Sequence, residues 1–115
     1  MSRTPPNPGF DLHVERRGPA AIMRLSGELD ITGADLLETG VKELVDHSPD
    51  VVVIDLRKVS FMDSTGLRSL LRARALGSEE GWSLTLIRGP KPVHRVLELT
   101  RMDEVFDFAD GAGFD

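Results

Sequence analysis

Ser64 stands in Met62-Asp63-Ser64-Thr65-Gly66, just ahead of an apolar-periodic stretch, and a hydroxyl placed there has three possible kinds of chemistry. As an N-cap its oxygen would accept an orphan N–H of the helix that follows, a role Asp63 could fill equally well. As a phosphate acceptor it would exploit the same geometry, because the free N–H groups and positive dipole end of a helix start tolerate a phosphate without melting the helix. As a nucleophile it would need a sharp strand-to-helix turn and a base. The stretch falls one glycine short of the elbow G-x-S-x-G, with Met62 where a small residue is required. Seven residues, Arg57 to Asp63, separate the expected strand end from Ser64, and His13, His47 and His94 are far apart in sequence. These histidines read as surface residues, and the chain reads as no enzyme. Neither G-x-G-x-x-G nor G-x-x-x-x-G-K-[ST] occurs, and no His or carboxylate cluster at metal-ligand spacing is apparent, so neither cofactor nor metal is expected. Trp82 alone is no stacking platform for nucleic acid and reads as packing.

The elements that must position Ser64 follow from periodicity. Phe10, Leu12 and Val14 alternate with Asp11, His13 and Glu15, which predicts a half-buried strand, and Arg17-Gly18-Pro19 supplies a turn. A second strand places Ala21, Met23 and Leu25 on one face and Ile22, Arg24 and Ser26 on the other, so the two pair as a hairpin. Thr32-Gly33-Ala34-Asp35 has capping-box spacing, followed by Ala34, Leu37, Val41, Leu44 and Val45 on one helical face until Ser48-Pro49. Val51-Val52-Val53-Ile54 is the β-branched run of a strand covered on both sides or interior to a parallel sheet. Arg57 to Ser60 reads as a polar connection to a second helix, with Leu67, Leu70, Leu71 and Ala75 inward and Arg68, Arg72 and Glu79 outward, stopped by Gly77 or Gly81. Trp82, Leu84 and Leu86 make a further strand, Pro90 to Pro92 opens a short helix, and Val105-Phe106 suggests a last edge strand. The order β-β-α-β-α-β-α-β predicts an α/β mixed sheet led by a β-hairpin, with the helices mainly on one face because successive crossovers share one hand.

At 115 residues the chain has the length of one domain. Residues 1–9, rich in proline, and residues 109–115 read as flexible tails around a domain at 10–108. No cysteine is present, which excludes disulfides and thiolate chemistry, and neither a signal peptide nor a membrane span is evident, so a cytoplasmic protein is expected. The net charge of -5 weighs against binding nucleic acid or an anionic membrane. It is unevenly spread: residues 1–56 sum to -5, 57–101 to +5 and 102–115 to -5. The central positive segment is either a solvated helix face or a surface for an acidic partner.

Gly27-Glu28-Leu29-Asp30 after the second strand, with Val59-Ser60-Phe61-Met62-Asp63-Ser64-Thr65-Gly66-Leu67 before the second helix, resembles the STAS domain of bacterial anti-sigma factor antagonists. The resemblance spans roughly residues 10–108. It implies a regulatory protein that, unphosphorylated, binds an anti-sigma factor with serine kinase activity and so releases a sigma factor. It also implies inactivation by phosphorylation of the serine after the motif aspartate, here Ser64, and reactivation by a serine phosphatase. On this reading Asp30, Asp63, Ser64, Thr65, Gly66, Arg68 and Arg72 form the partner-binding surface, with Ser64 rather than Thr65 the phosphate acceptor. Asp30 and Asp63 have a second reading as helix caps, and Gly66 as a point of close backbone approach. Two departures stand out. Arg68, Ser69 and Arg72 occupy positions where relatives often carry small residues, and Arg101 replaces a frequent glycine in the turn before the last strand. The alternative within the family is an accessory STAS subunit of a lipid-transport complex.

Overall fold

The computed structural model describes residues 9–115, so the tail expected at 1–9 lies, except for Gly9, outside the described residues. The expected hairpin forms from β1 (Phe10–Arg17) and β2 (Ala20–Leu29), antiparallel from Phe10 opposite Gly27 to Arg17 opposite Ala20. After α1 (Ile31–Leu44), β3 (Val51–Met62) runs parallel to β2. After α2 (Ser64–Glu80), β4 (Ser83–Ile87) runs parallel to β3, and after α3 (Lys91–Leu99) the short β5 (Asp107–Ala109) closes the far edge. The five strands therefore lie in chain order, β1-β2-β3-β4-β5. Because each parallel neighbour is reached through a helix and such crossovers share one hand, α1, α2 and α3 stack on the same face of the sheet.

That face holds the main core. Ala21, Met23 and Leu25 of β2 and Val52, Ile54 and Leu56 of β3 meet Leu37, Val41 and Leu44 of α1, Leu67, Leu70 and Ala73 of α2, and Val93 and Leu97 of α3. Trp82 is buried and its ring lies against Gly77, where a side chain on the helix would collide with it. On α2 the inward residue is Ala73 rather than the expected Ala75, which is exposed, and Leu71 is only half-buried. The opposite face carries a small apolar patch of Ile22, Val53 and Ile87 with Val51 and Phe114 against it. Phe114 reaches it because Gly111–Phe114 forms a 3-10 turn in the segment expected to be a tail, started by Asp110, whose carboxylate accepts the N–H of Ala112.

Three boundaries differ from expectation. β3 does not stop near Leu56 but continues to Met62, absorbing the presumed polar connection. The α1 cap is Asp30 rather than Thr32, whose own N–H is one of the two that Asp30 accepts. The last strand begins at Asp107, because Val105 belongs to the turn after the 3-10 stretch Met102–Glu104, which drops Phe106 into the core. Arg101, where relatives often have glycine, takes up the left-handed conformation itself, with φ 61°. Among the described residues no helix is long and apolar enough to cross a membrane.

Candidate functional site at two matched helix starts

Because β3 ends at Met62, a single residue, Asp63, links it to α2. The turn is sharp after all, and the argument from a seven-residue connection against a nucleophile elbow does not survive. What still weighs against one is Met62, buried behind the turn, and the placement of the histidines: His13 on β1, His47 at the end of the 3-10 turn after α1, and His94 on α3.

Asp63 is the N-cap. Its backbone is extended (φ -113°, ψ -170°), and Oδ1 accepts the N–H groups of Thr65 at 3.0 Å and Gly66 at 3.1 Å. This settles which of the two adjacent side chains caps α2, and it leaves the Ser64 hydroxyl uncommitted. Ser64 is the first residue of the helix, exposed, and among the described residues its Oγ has no hydrogen-bond partner. Thr65 is half-buried and contributes a backbone N–H. Gly66 is buried, and a Cβ there would strike the carbonyl oxygen of Leu29 and crowd the Leu29 and Met62 side chains. The close approach it permits is therefore to the core strand β2, not to a partner.

The same construction recurs one strand over. Leu29 pairs with Met62 at the ends of β2 and β3, and Asp30-Ile31-Thr32-Gly33 starts α1 as Asp63-Ser64-Thr65-Gly66 starts α2. Asp30 is extended, and its Oδ1 accepts the N–H groups of Thr32 at 3.1 Å and Gly33 at 3.3 Å. Gly33 is also buried, with the carbonyl of Glu28 and the ring of Phe10 where a Cβ would lie. The repeated Asp-x-Thr-Gly is legible in the sequence, although neither copy alone announces it. In the first-helix copy the residue equivalent to Ser64 is Ile31, which is 69% exposed, and Phe61, which pairs with Glu28 at the end of β3, is 50% exposed. Two large apolar side chains thus stand exposed at the end of the sheet that presents the serine. Sequence reasoning missed both, since an exposed Ile at a helix start has the same pattern as a buried one.

The arginines are less alike than their spacing suggests. Arg68 is exposed and makes no ion pair among the described residues, whereas Arg72 is tied to α1 through Nη1, which is shared between the two carboxylate oxygens of Glu38 at 3.0 and 3.2 Å. Ser69 does not belong with them. It is buried, and its Oγ donates to the carbonyl of Gly66 at 2.6 Å.

Two further polar groups lie away from this edge. On the helix-free face Asp55 is 6% exposed and receives both arms of Arg57 at 3.1 and 2.9 Å, the Arg57 backbone N–H at 3.0 Å and Arg24 at 3.1 Å. Burial alone would push its carboxyl up, but the Arg57 hydrogen bonds and the two guanidinium charges outweigh it and hold the group below the ordinary carboxylate range. Hydrogen bonds to Asp55 and then Asp115 raise Arg57 in turn. On α3, His94 is buried at 6% exposure, against the expectation of a surface histidine, with its ring edge-on to Phe108 at 5.4 Å. It lies beside Glu98 and Asp103, a cluster not foreseen from sequence spacing.

A family profile described as "Mlab, STAS domain" matches residues 12–107. An anti-sigma F factor antagonist of Paenibacillus polymyxa is 28% identical over 102 residues, 88% of this chain and 87% of that protein. The crystal structure of an anti-sigma factor antagonist from Mycobacterium paratuberculosis superposes with a TM-score of 0.74 at 31% identity, covering 87% of this chain and 85% of that one. The fold is shared as well with the Bacillus cell fate determinant SpoIIAA in its phosphorylated form, at a TM-score of 0.69 and 16% identity over 89% of this chain and 94% of that one. A mixed five-stranded sheet opened by a hairpin, with the Asp-Ser-Thr-Gly helix start at the end of its central strand, is a STAS domain. The chain belongs to the STAS-domain family of anti-sigma factor antagonists.

Proposed function

We propose that this protein antagonises an anti-sigma factor by docking the β3–α2 edge against it, and that phosphorylation of Ser64 abolishes the docking. The observation that carries the reading is the division of labour at the helix start. Asp63 satisfies the orphan N–H groups, so Ser64 Oγ stands exposed with no structural duty. A kinase can modify such a hydroxyl without dismantling the helix. Ile31 and Phe61 supply an apolar contact surface at the same edge, the kind of anchor that is desolvated at the centre of a protein interface. The occurrence of the fold in a relative solved in phosphorylated form is in keeping with this use.

Phosphate would add about -1.5 to -2 charges beside Asp63, within a surface that must pack closely against its partner. A hundredfold loss of affinity corresponds to about 2.7 kcal/mol, within reach of this repulsion plus the added bulk. Arg68, exposed one turn along and without an ion pair among the described residues, would contact acidic residues of the anti-sigma factor and help select it, while Arg72 is partly occupied by Glu38. The anti-sigma factor would be the serine kinase, its nucleotide site supplying ATP, and a serine phosphatase would restore the unmodified form. Calorimetry of the wild type, Ser64→Ala, Ser64→Asp and the phosphorylated protein against the cognate anti-sigma kinase tests the switch. Wild type and Ser64→Ala are expected to bind and the other two to lose about a hundredfold; equal affinity of all four forms, or copurification with a membrane transporter in place of an anti-sigma factor, would overturn it.

A further inference from the structure

We infer that His94, Glu98 and Asp103 form a binding site for a divalent transition-metal ion of the zinc class, separate from the Ser64 edge. The three residues come together for definite reasons. His94 and Glu98 are four apart on α3, one helical turn on the same face. The chain then reverses: the N–H of Arg101 donates to the carbonyl of Glu98 at 3.1 Å, and the left-handed backbone of Arg101 starts the 3-10 turn Met102–Glu104 that brings Asp103 back beside the helix end. One nitrogen of His94 and one carboxylate oxygen each of Glu98 and Asp103 lie within 4.8 Å of one another.

The histidine distinguishes this cluster from an ordinary patch of surface acids. It is only 6% exposed, its ring is fixed edge-on against Phe108 at an interplanar angle of 75°, and among the described residues its Nδ1 has no hydrogen-bond partner. A buried polar atom left unpaired costs about 1–3 kcal/mol, and a bound ion is one of the ways a fold offsets that cost. A metal engages an imidazole in its neutral form through one nitrogen and orders the proton on the other.

Charge and donor type narrow the ligand. A neutral imidazole with two carboxylates carries a charge of -2, which a divalent ion cancels. One nitrogen and two oxygens suit zinc-class ions, which take ligands at about 2.0–2.2 Å and leave a fourth position for water. Calcium and magnesium prefer an all-oxygen shell of six or more ligands, more than this site offers. The rigid member, His94, is already in place, and the exposed Glu98 side chain is the one free to close onto the ion. Bound metal would clip the end of α3 to the turn that leads into β5.

The test uses the untagged full chain, titrated with Zn2+ by calorimetry and with Co2+ by visible absorption, alongside thermal unfolding. One ion per chain is expected, with a Co2+ spectrum of low coordination number and a melting temperature that rises with Zn2+. Glu98→Gln and Asp103→Asn, which alter an exposed and a half-buried carboxylate and leave the apolar core intact, should fold normally and each weaken binding about tenfold or more. His94→Ala should abolish it. The inference is overturned if neither ion binds saturably up to about 1 mM, where even the weakest specific sites register. It is equally overturned if Glu98→Gln and Asp103→Asn bind within about twofold of wild type, since the exposed His13 or His47 would then be responsible.

Discussion

Removing the Asp63 carboxylate isolates what the α2 cap contributes. In the wild type one oxygen accepts two N–H groups, at 3.0 and 3.1 Å, and the second of these belongs to Gly66, which is buried under Leu29 and Met62 and has no solvent to turn to. Asp63→Ala therefore leaves one N–H half-exposed and one enclosed, which places the cost at the upper end of the range for lost caps, about 2 kcal/mol. For a chain of 115 residues the unfolding entropy is about 0.24 kcal/mol per degree, so the melting temperature should fall by about 8 °C. Asp63→Asn keeps an oxygen acceptor in the same place and loses only the charge–dipole attraction, about 0.5 kcal/mol or 2 °C. Asp30→Ala provides the internal control: its bonds are longer, at 3.1 and 3.3 Å, and one of them goes to the exposed Thr32, so the loss should be about 1 kcal/mol. Differential scanning calorimetry of the isolated variants gives all three numbers. If Asp63→Asn is as damaging as Asp63→Ala, or if Asp30→Ala is the costlier of the two alanine variants, the reasoning from cap geometry is wrong.

Other perturbations test other parts of the structure. Gly66→Ala drives a methyl group into the Leu29 carbonyl and should cost about 2–3 kcal/mol in urea denaturation; a loss under about 0.5 kcal/mol would mean that β2 and α2 are not in contact there. Arg101→Gly relieves a left-handed backbone at the expense of greater freedom in the unfolded chain and should raise stability by about 0.5 kcal/mol, and a decrease would show that the Arg101 side chain matters more than its φ of 61°. Asp55 has a folded-state pKa below its ordinary value of 3.8, so its ion pairs stabilise the fold above that pH and the contribution disappears as pH falls through the folded pKa. Asp55→Asn should accordingly be less stable than wild type at pH 7, with the gap narrowing below about pH 4; a gap independent of pH would refute the ionic account.

The alternation of Phe10, Leu12 and Val14, the β-branched run at Val51, and the helical spacing of Leu37, Val41 and Leu44 are local signals, and they were sufficient for the element order and hence for a hairpin-led sheet covered on one face. The motif Asp63-Ser64-Thr65-Gly66 likewise marks a helix start without any knowledge of what surrounds it, because capping is satisfied within four residues. Other features depend on neighbours distant in sequence. The polar stretch Arg57 to Ser60 looks like a loop and is strand, since it extends β3 alongside Ser26 and Gly27 of β2, and that pairing leaves no local mark. The burial of His94 was set by Phe108, the exposure of Ile31 and Phe61 by their place at the ends of β2 and β3, where no element of the described residues packs over them, and the pairing of Arg72 by Glu38 on another helix. Hydrogen bonding to the next two or three residues is written in the sequence; which side chains meet water, and which meet each other across helices and strands, was decided only when the sheet brought its ends together.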